Sequence, residues 1–116
     1  MIISSRDKIE SRISALETER GKIYTLAADK AAAISQYDRL YAIKLLELKN
    51  GTIHEWEGRK VGNLAVTMAD KVAKGMVWEA CMQKELADGL YKACISNLEA
   101  LKAELNGFQS INKYLE

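Results

Sequence analysis

The stretch VWEACMQKELADGLYKACISNLEALKAEL, Val77 to Leu105, decides the fold. Its apolar and small residues recur at Val77, Ala80, Ala87, Tyr91, Cys94, Leu98, Leu101 and Leu105, stepping by three and four, with Lys84 as the one interruption. The same rhythm carries on through Phe108 and Asn112 to Leu115. A 3.5-residue repeat keeps one seam of a helix turned to a partner helix over many turns. The partner is upstream, where a second stripe runs Ile9, Ile13, Leu16, Arg20, Ile23, Ala27, Lys30, Ile34, Tyr37, Tyr41, Lys44, Leu48. The sequence therefore predicts an all-α chain, a long antiparallel coiled-coil-like helical hairpin. Its seam is carried by Ile13, Leu16, Ile23, Ile34, Tyr41 and Leu48 on one side and Tyr91, Leu98, Leu101 and Leu105 on the other.

Composition agrees. The 116 residues are 48% hydrophobic and 28% charged, within the range of one folded domain, and contain no proline. Proline costs about 3 kcal/mol in a helix interior, so its absence fits a nearly all-helical chain. The charge balance of 17 basic against 16 acidic residues counts against a protein that binds nucleic acid by neutralising many phosphates.

Helix bounds follow from the punctuation. The first helix spans about 5–49, with Ser4 and Asp7 as a capping pair and Asn50-Gly51 as the stop. At 1.5 Å per residue it is roughly 65 Å long. A connector, 50–75, follows; residues 52–61 fit either a small β-hairpin or an irregular loop. Within it Thr67 reads as an N-cap with Asp70 three residues on, opening a short helix over about 68–74 that stops at Gly75. The last helix runs from about 76 to 106, where Asn106-Gly107 is a stop signal, or to 115, which the persistence of the stripe favours.

Apolar residues exceed what one seam can bury. Met82, Leu86, Leu90, Ile95 and Ile111 form a second row on the last helix, and Leu26, Ala31, Leu40 and Leu45 lie off the seam of the first. Either the short helix or another chain covers them. The expectation is a homo-oligomer, a dimer in the simplest case, closing a helical bundle.

Chemistry is sparse. One histidine, His54, stands apart from Cys81 and Cys94, so no closely spaced metal ligands and no Cys–His pair are announced, and no cofactor is expected. Gly58 and Gly62 match no phosphate-binding fingerprint. No catalytic residue is expected and the chain reads as a non-enzyme. Met1-Ile2-Ile3 is too short for the apolar core of a signal peptide, and no segment is long enough to span a membrane. With two cysteines too far apart on one helix to bridge, a cytoplasmic location is expected.

The connector gathers Trp56, Arg59, Lys60, Lys71 and Lys74, with Trp78 just beyond. Such a set suits a protein hot spot or stacking on single-stranded bases, or it plugs the end of the hairpin. Trp56, flanked by Glu55 and Glu57, reads as the contact residue, and Trp78, beside the stripe, as the plug. These five residues are the candidate partner-binding surface.

Tyr41-Ala-Ile-Lys-Leu-Leu-Glu-Leu-Lys49, Thr67-Met-Ala-Asp-Lys-Val-Ala-Lys-Gly75, and the run from Tyr91-Lys-Ala-Cys94 to Ala100-Leu-Lys-Ala-Glu-Leu105 resemble small uncharacterised helical proteins of temperate phages of Gram-positive bacteria. Those proteins often carry a proline before the middle helix, where this chain has Leu64-Ala65-Val66. The resemblance implies a phage context, with the host-cell cytoplasm as the location. Three functions fit that context. The chain binds and inhibits or redirects a host nucleic-acid-processing or defence protein, assists single-strand recombination or replication, or serves in structure or assembly.

Overall fold

The computed structural model describes residues 5–115. Three helices and one minute hairpin follow in chain order: α1 (Ser5–Lys49), β1 (Glu55–Trp56), β2 (Arg59–Lys60), α2 (Val66–Met76) and α3 (Trp78–Leu115). The fold is all-α, a helical hairpin with a connector helix, as the repeat predicts. Ser4, the expected cap of α1, lies outside the described residues, while Asp7 stands in the first turn. The chain leaves α1 through Gly51, whose φ of 74° is open to glycine at little cost.

Two compact units emerge from the contacts, each made from an α1 segment and an α3 segment. One comprises Met1–Ala28 and Gly89–Glu116, the other Asp29–Asp88.

In the first unit Leu16, Cys94 and Leu101 are buried, with Ile23, Tyr91, Leu98 and Leu105 half-buried beside them. The helices are antiparallel: Arg12 pairs with Glu104, and the Cys94 thiol donates to the backbone carbonyl and the carboxylate of Glu19, each at 3.5 Å. The charged groups of Lys8 and Arg12 stand 5.7 and 6.0 Å from the Phe108 ring centroid, close enough for cation–π attraction.

In the second unit Leu48, Val61 and the fully buried Ala73 form a core. Tyr41, Leu45, Ile53, Trp56, Leu64, Val72 and Met76 pack around it. Small residues at Ala69 and Ala73 let α2 press closely on its neighbours. Here too α1 and α3 meet antiparallel. Lys30 bonds Asp88 at 2.9 Å, and the Lys84 ammonium sits 4.2 Å from the Tyr37 ring centroid.

In the connector one open alternative is resolved and two expectations are corrected. Glu57 and Gly58 take φ of 48° and 76°, the two positive values of a type I′ turn, so residues 55–60 close as a β-hairpin with Trp56 opposite Arg59. Thr67 is not the cap of α2. The helix starts at Val66 after Ala65, with no side-chain cap bond, and Asp70 is drawn away to Tyr41. Gly75 does not end α2, because the helix continues to Met76 and is capped by Val77. The glycine is there for a different reason: a Cβ at that position would lie 2.7 Å from the Trp56 ring.

The α3 stripe is buried or half-buried from Val77 to Asn112; the Leu115 side chain lies outside the described residues. α3 also runs through Asn106 and Gly107 without a break. The α1 stripe holds at nine of its twelve positions and is corrected at three: Ile13, Arg20 and Ile34 are exposed, and Arg12, Glu19 and Ala33 beside them are half-buried instead. The polar pair is tolerated because each has a partner from α3, Glu104 for Arg12 and Cys94 for Glu19.

Candidate functional site

The β1–β2 hairpin and α2 carry the five predicted contact residues, and they do not act alike. Trp56, the expected contact, is half-buried and belongs to the core shell, its ring lying against the bare backbone of Gly75. The exposed tryptophan is Trp78, the expected plug, at 56% of full exposure. Alternation along β1 puts Trp56 and Glu55 on opposite faces of the hairpin, and Trp56 is on the face that meets the core.

Arg59 and Lys60 are exposed on β2 and Lys71 is exposed on α2. Lys74 is committed, donating to Asp70 at 3.1 Å. Asp70 also accepts the Tyr41 hydroxyl, and the Tyr37 ring stacks on Tyr41 with centroids 6.1 Å apart and planes 14° from parallel. This network ties α1 to α2. It also freezes the ionisation of its members. The Tyr41 hydroxyl bond and then Lys74 hold the Asp70 carboxyl below its ordinary value, and Asp70 in return raises both the Tyr41 phenol and the Lys74 ammonium. The carboxylate is thus kept charged and the phenol and ammonium protonated, which preserves the bonds that tie α1 to α2.

The other perturbed groups lie in the first unit. Burial, then the neighbouring Glu19, raises the Cys94 thiol, which makes it a poor nucleophile. Hydrogen bonds from Lys22 and then Asn97 lower Glu19. Among the described residues no group of three or more His, Cys, Asp or Glu side chains is placed to hold a metal ion, and no helix is long and apolar enough to cross a membrane.

Apolar exposure is the more informative property of the surface. Trp78, Met82 and Leu86, four residues apart on α3, are each more than half exposed. Two of them, with Ala33, Gln36 and Leu40 of α1, line an open groove of about 400 Å³. Tyr41, Leu45 and Leu48 point instead to the core shared with α2, so the groove and α2 lie on different sides of the α1–α3 seam. On α2, Val66 and Met68 are exposed too. The excess of apolar residues over seam positions foreshadows Met82 and Leu86. Nothing in the local sequence marks Val66 and Met68, which sit at the start of the helix beside its buried Ala69. Compared with family models, curated proteins and solved structures, the chain shows no significant match.

Proposed function

We propose that this chain is a non-enzymatic protein-interaction module that works as a homo-oligomer. By its resemblance to small phage proteins, it acts in the host cytoplasm by binding and inhibiting or redirecting a host nucleic-acid-processing or defence protein. One observation carries the reading: large apolar side chains stand at the surface of a fold whose perturbed ionisable groups are locked in structural bonds. Val66 and Met68, exposed on α2 with the exposed Lys71 one turn on from Met68, form the face offered to the partner, and the exposed Arg59 and Lys60 of the hairpin add basic contacts. Apolar residues accompanied by basic ones suit a protein surface with an acidic rim.

The test is a tagged pull-down from bacterial lysate, with and without nuclease, comparing the native chain with Met68→Asp and with Arg59→Glu/Lys60→Glu. A single protein recovered under both conditions by the native chain, and lost with both variants at unchanged helicity, supports the proposal. Equal recovery by the variants removes this face from it. Direct binding of the purified chain to single strands, falling steeply between roughly 50 and 200 mM salt, would replace the proposal with the recombination or replication reading. Large defined oligomers would replace it with the structural or assembly reading.

A further inference from the structure

The geometry points to a second copy of this chain seated on the groove between α1 and α3, each copy laying its α1 on the other's α3. This inference rests on the homo-oligomer reading above and assigns it a face. Trp78 and Met82, 56 and 52% exposed, line the groove from α3, and Ala33 and Leu40 line it from α1. Beyond that lining Leu86 of α3 and Ile43 and Leu46 of α1 are also exposed, at 55, 36 and 58%.

Charge on the rims chooses the occupant. Glu79 lines the groove on the α3 side. Arg39 stands on the α1 side, three residues after Gln36 and four before Ile43, on the edge of the same helical face. Both are exposed, and neither forms an ion pair within the chain among the described residues. The α3 rim thus offers one carboxylate and the α1 edge one guanidinium, a pair that is self-complementary under a two-fold axis parallel to the helices.

The heights agree. Lys84 stacked on Tyr37 sets the antiparallel register, so Glu79, five residues back along α3, stands level with position 42 of α1. That is three residues from Arg39, about 4.5 Å along the axis, within reach of an arginine side chain. Trp78 stands level with Ile43 in the same way. The two-fold therefore makes the Arg39–Glu79 pair twice and sets Ile43 of each copy against Trp78 of the other. A net charge of only +1 per chain adds little repulsion between copies.

The experiment is sedimentation of the full chain across the micromolar range, for the native sequence, Met82→Glu, Arg39→Glu, Glu79→Arg and the double reversal Arg39→Glu/Glu79→Arg. The native chain should dimerise and Met82→Glu should be monomeric with unchanged helicity. Each single reversal should weaken the dimer about tenfold, since two pairs turn repulsive at once, and the double reversal should restore it. A monomeric native chain overturns both this inference and the oligomer reading. A native oligomer that Met82→Glu and the single reversals leave intact overturns only the assigned face. If Met82→Glu fails to fold, rescue by the double reversal decides alone.

Discussion

Replacing Gly75 by alanine should destabilise this protein, although the same change at other helical glycines should stabilise it. Gly75 lies in the last turn of α2, where alanine gains up to about 1 kcal/mol of helix propensity over glycine. The new methyl would stand 2.7 Å from Cη2 and 3.2 Å from Cζ2 of Trp56. The indole cannot swing aside cheaply, because Trp56 is paired to Arg59 across the hairpin and packed against the core of Leu48, Val61 and Ala73. Overpacking of this kind costs about 1–3 kcal/mol. The net expectation is a loss of about 1 kcal/mol, a fall in Tm of about 4 °C for a chain of this size.

Gly89 and Gly107 are the controls. Both are exposed inside α3 with no atom within 4 Å of an added Cβ, so alanine there should add about 0.5–1 kcal/mol each. Thermal and urea unfolding followed by circular dichroism read all three variants. A Trp56→Leu background completes the cycle: with the ring gone, Gly75→Ala should cease to destabilise. A rise in Tm for Gly75→Ala as large as that for Gly89→Ala would refute the packing of Trp56 on α2, and with it the inward placement of that tryptophan.

Other consequences are separately measurable. Leu48→Ala opens the centre of the second unit and should cost about 2–5 kcal/mol in urea unfolding. Tyr41→Phe should lower Tm at neutral pH. Because the Tyr41 bond is the main cause of the lowered Asp70 carboxyl, that contribution is present above the ordinary value of 3.8 and lost as pH falls through the lower folded value; the Tm gap between native and variant chains should therefore be full at neutral pH and close in acid. A thiol reagent should modify the half-buried Cys81 first and reach Cys94 only at the rate of opening, since Cys94 is buried and its thiol is raised by that burial. Equal rates for the two thiols would contradict the first-unit core.

The α3 seam was legible in the sequence because its burial and its hydrophobicity coincide at position after position, and even Lys84 earns its place by stacking on Tyr37. The candidate site was legible only in part. Arg59, Lys60 and Lys71 are exposed as charged residues of a connector should be, but the exposed tryptophan is Trp78 and the half-buried one Trp56. Sequence neighbours mislead here: Glu55 and Glu57 suggest an exposed Trp56, yet Glu57 is a turn residue and Glu55 points to the opposite face of the strand. The informative signal was Gly75, nineteen residues away. A glycine within a helical pattern reads equally as a stop or as room for a ring, and only the tertiary contact separates the two.

The three mistaken positions of the α1 seam have a cause that bears on function. Stripes that step by three and four share every seventh residue, so Leu16, Ile23, Lys30, Tyr37 and Lys44 belong to the predicted and the observed seam alike. The differences fall in the intervening set, where Ala27, Tyr41 and Leu48 hold but hydrophobicity favours Ile13 over Arg12 while cross-helix partners favour Arg12 and Glu19. An α1 shaped only to pair with α3 would gain by putting isoleucine in the seam and arginine outside. This helix gains no such advantage at positions 12 and 13, where the Arg12 side chain and Ile13 are almost equally open at 38 and 40%, and it carries Leu46 at 58% exposure. Large apolar side chains left at the surface are costly for a lone hairpin and useful for one that is covered. That exposure is the strongest physical reason to look for the protein surface that covers it, beginning with a second copy of the chain.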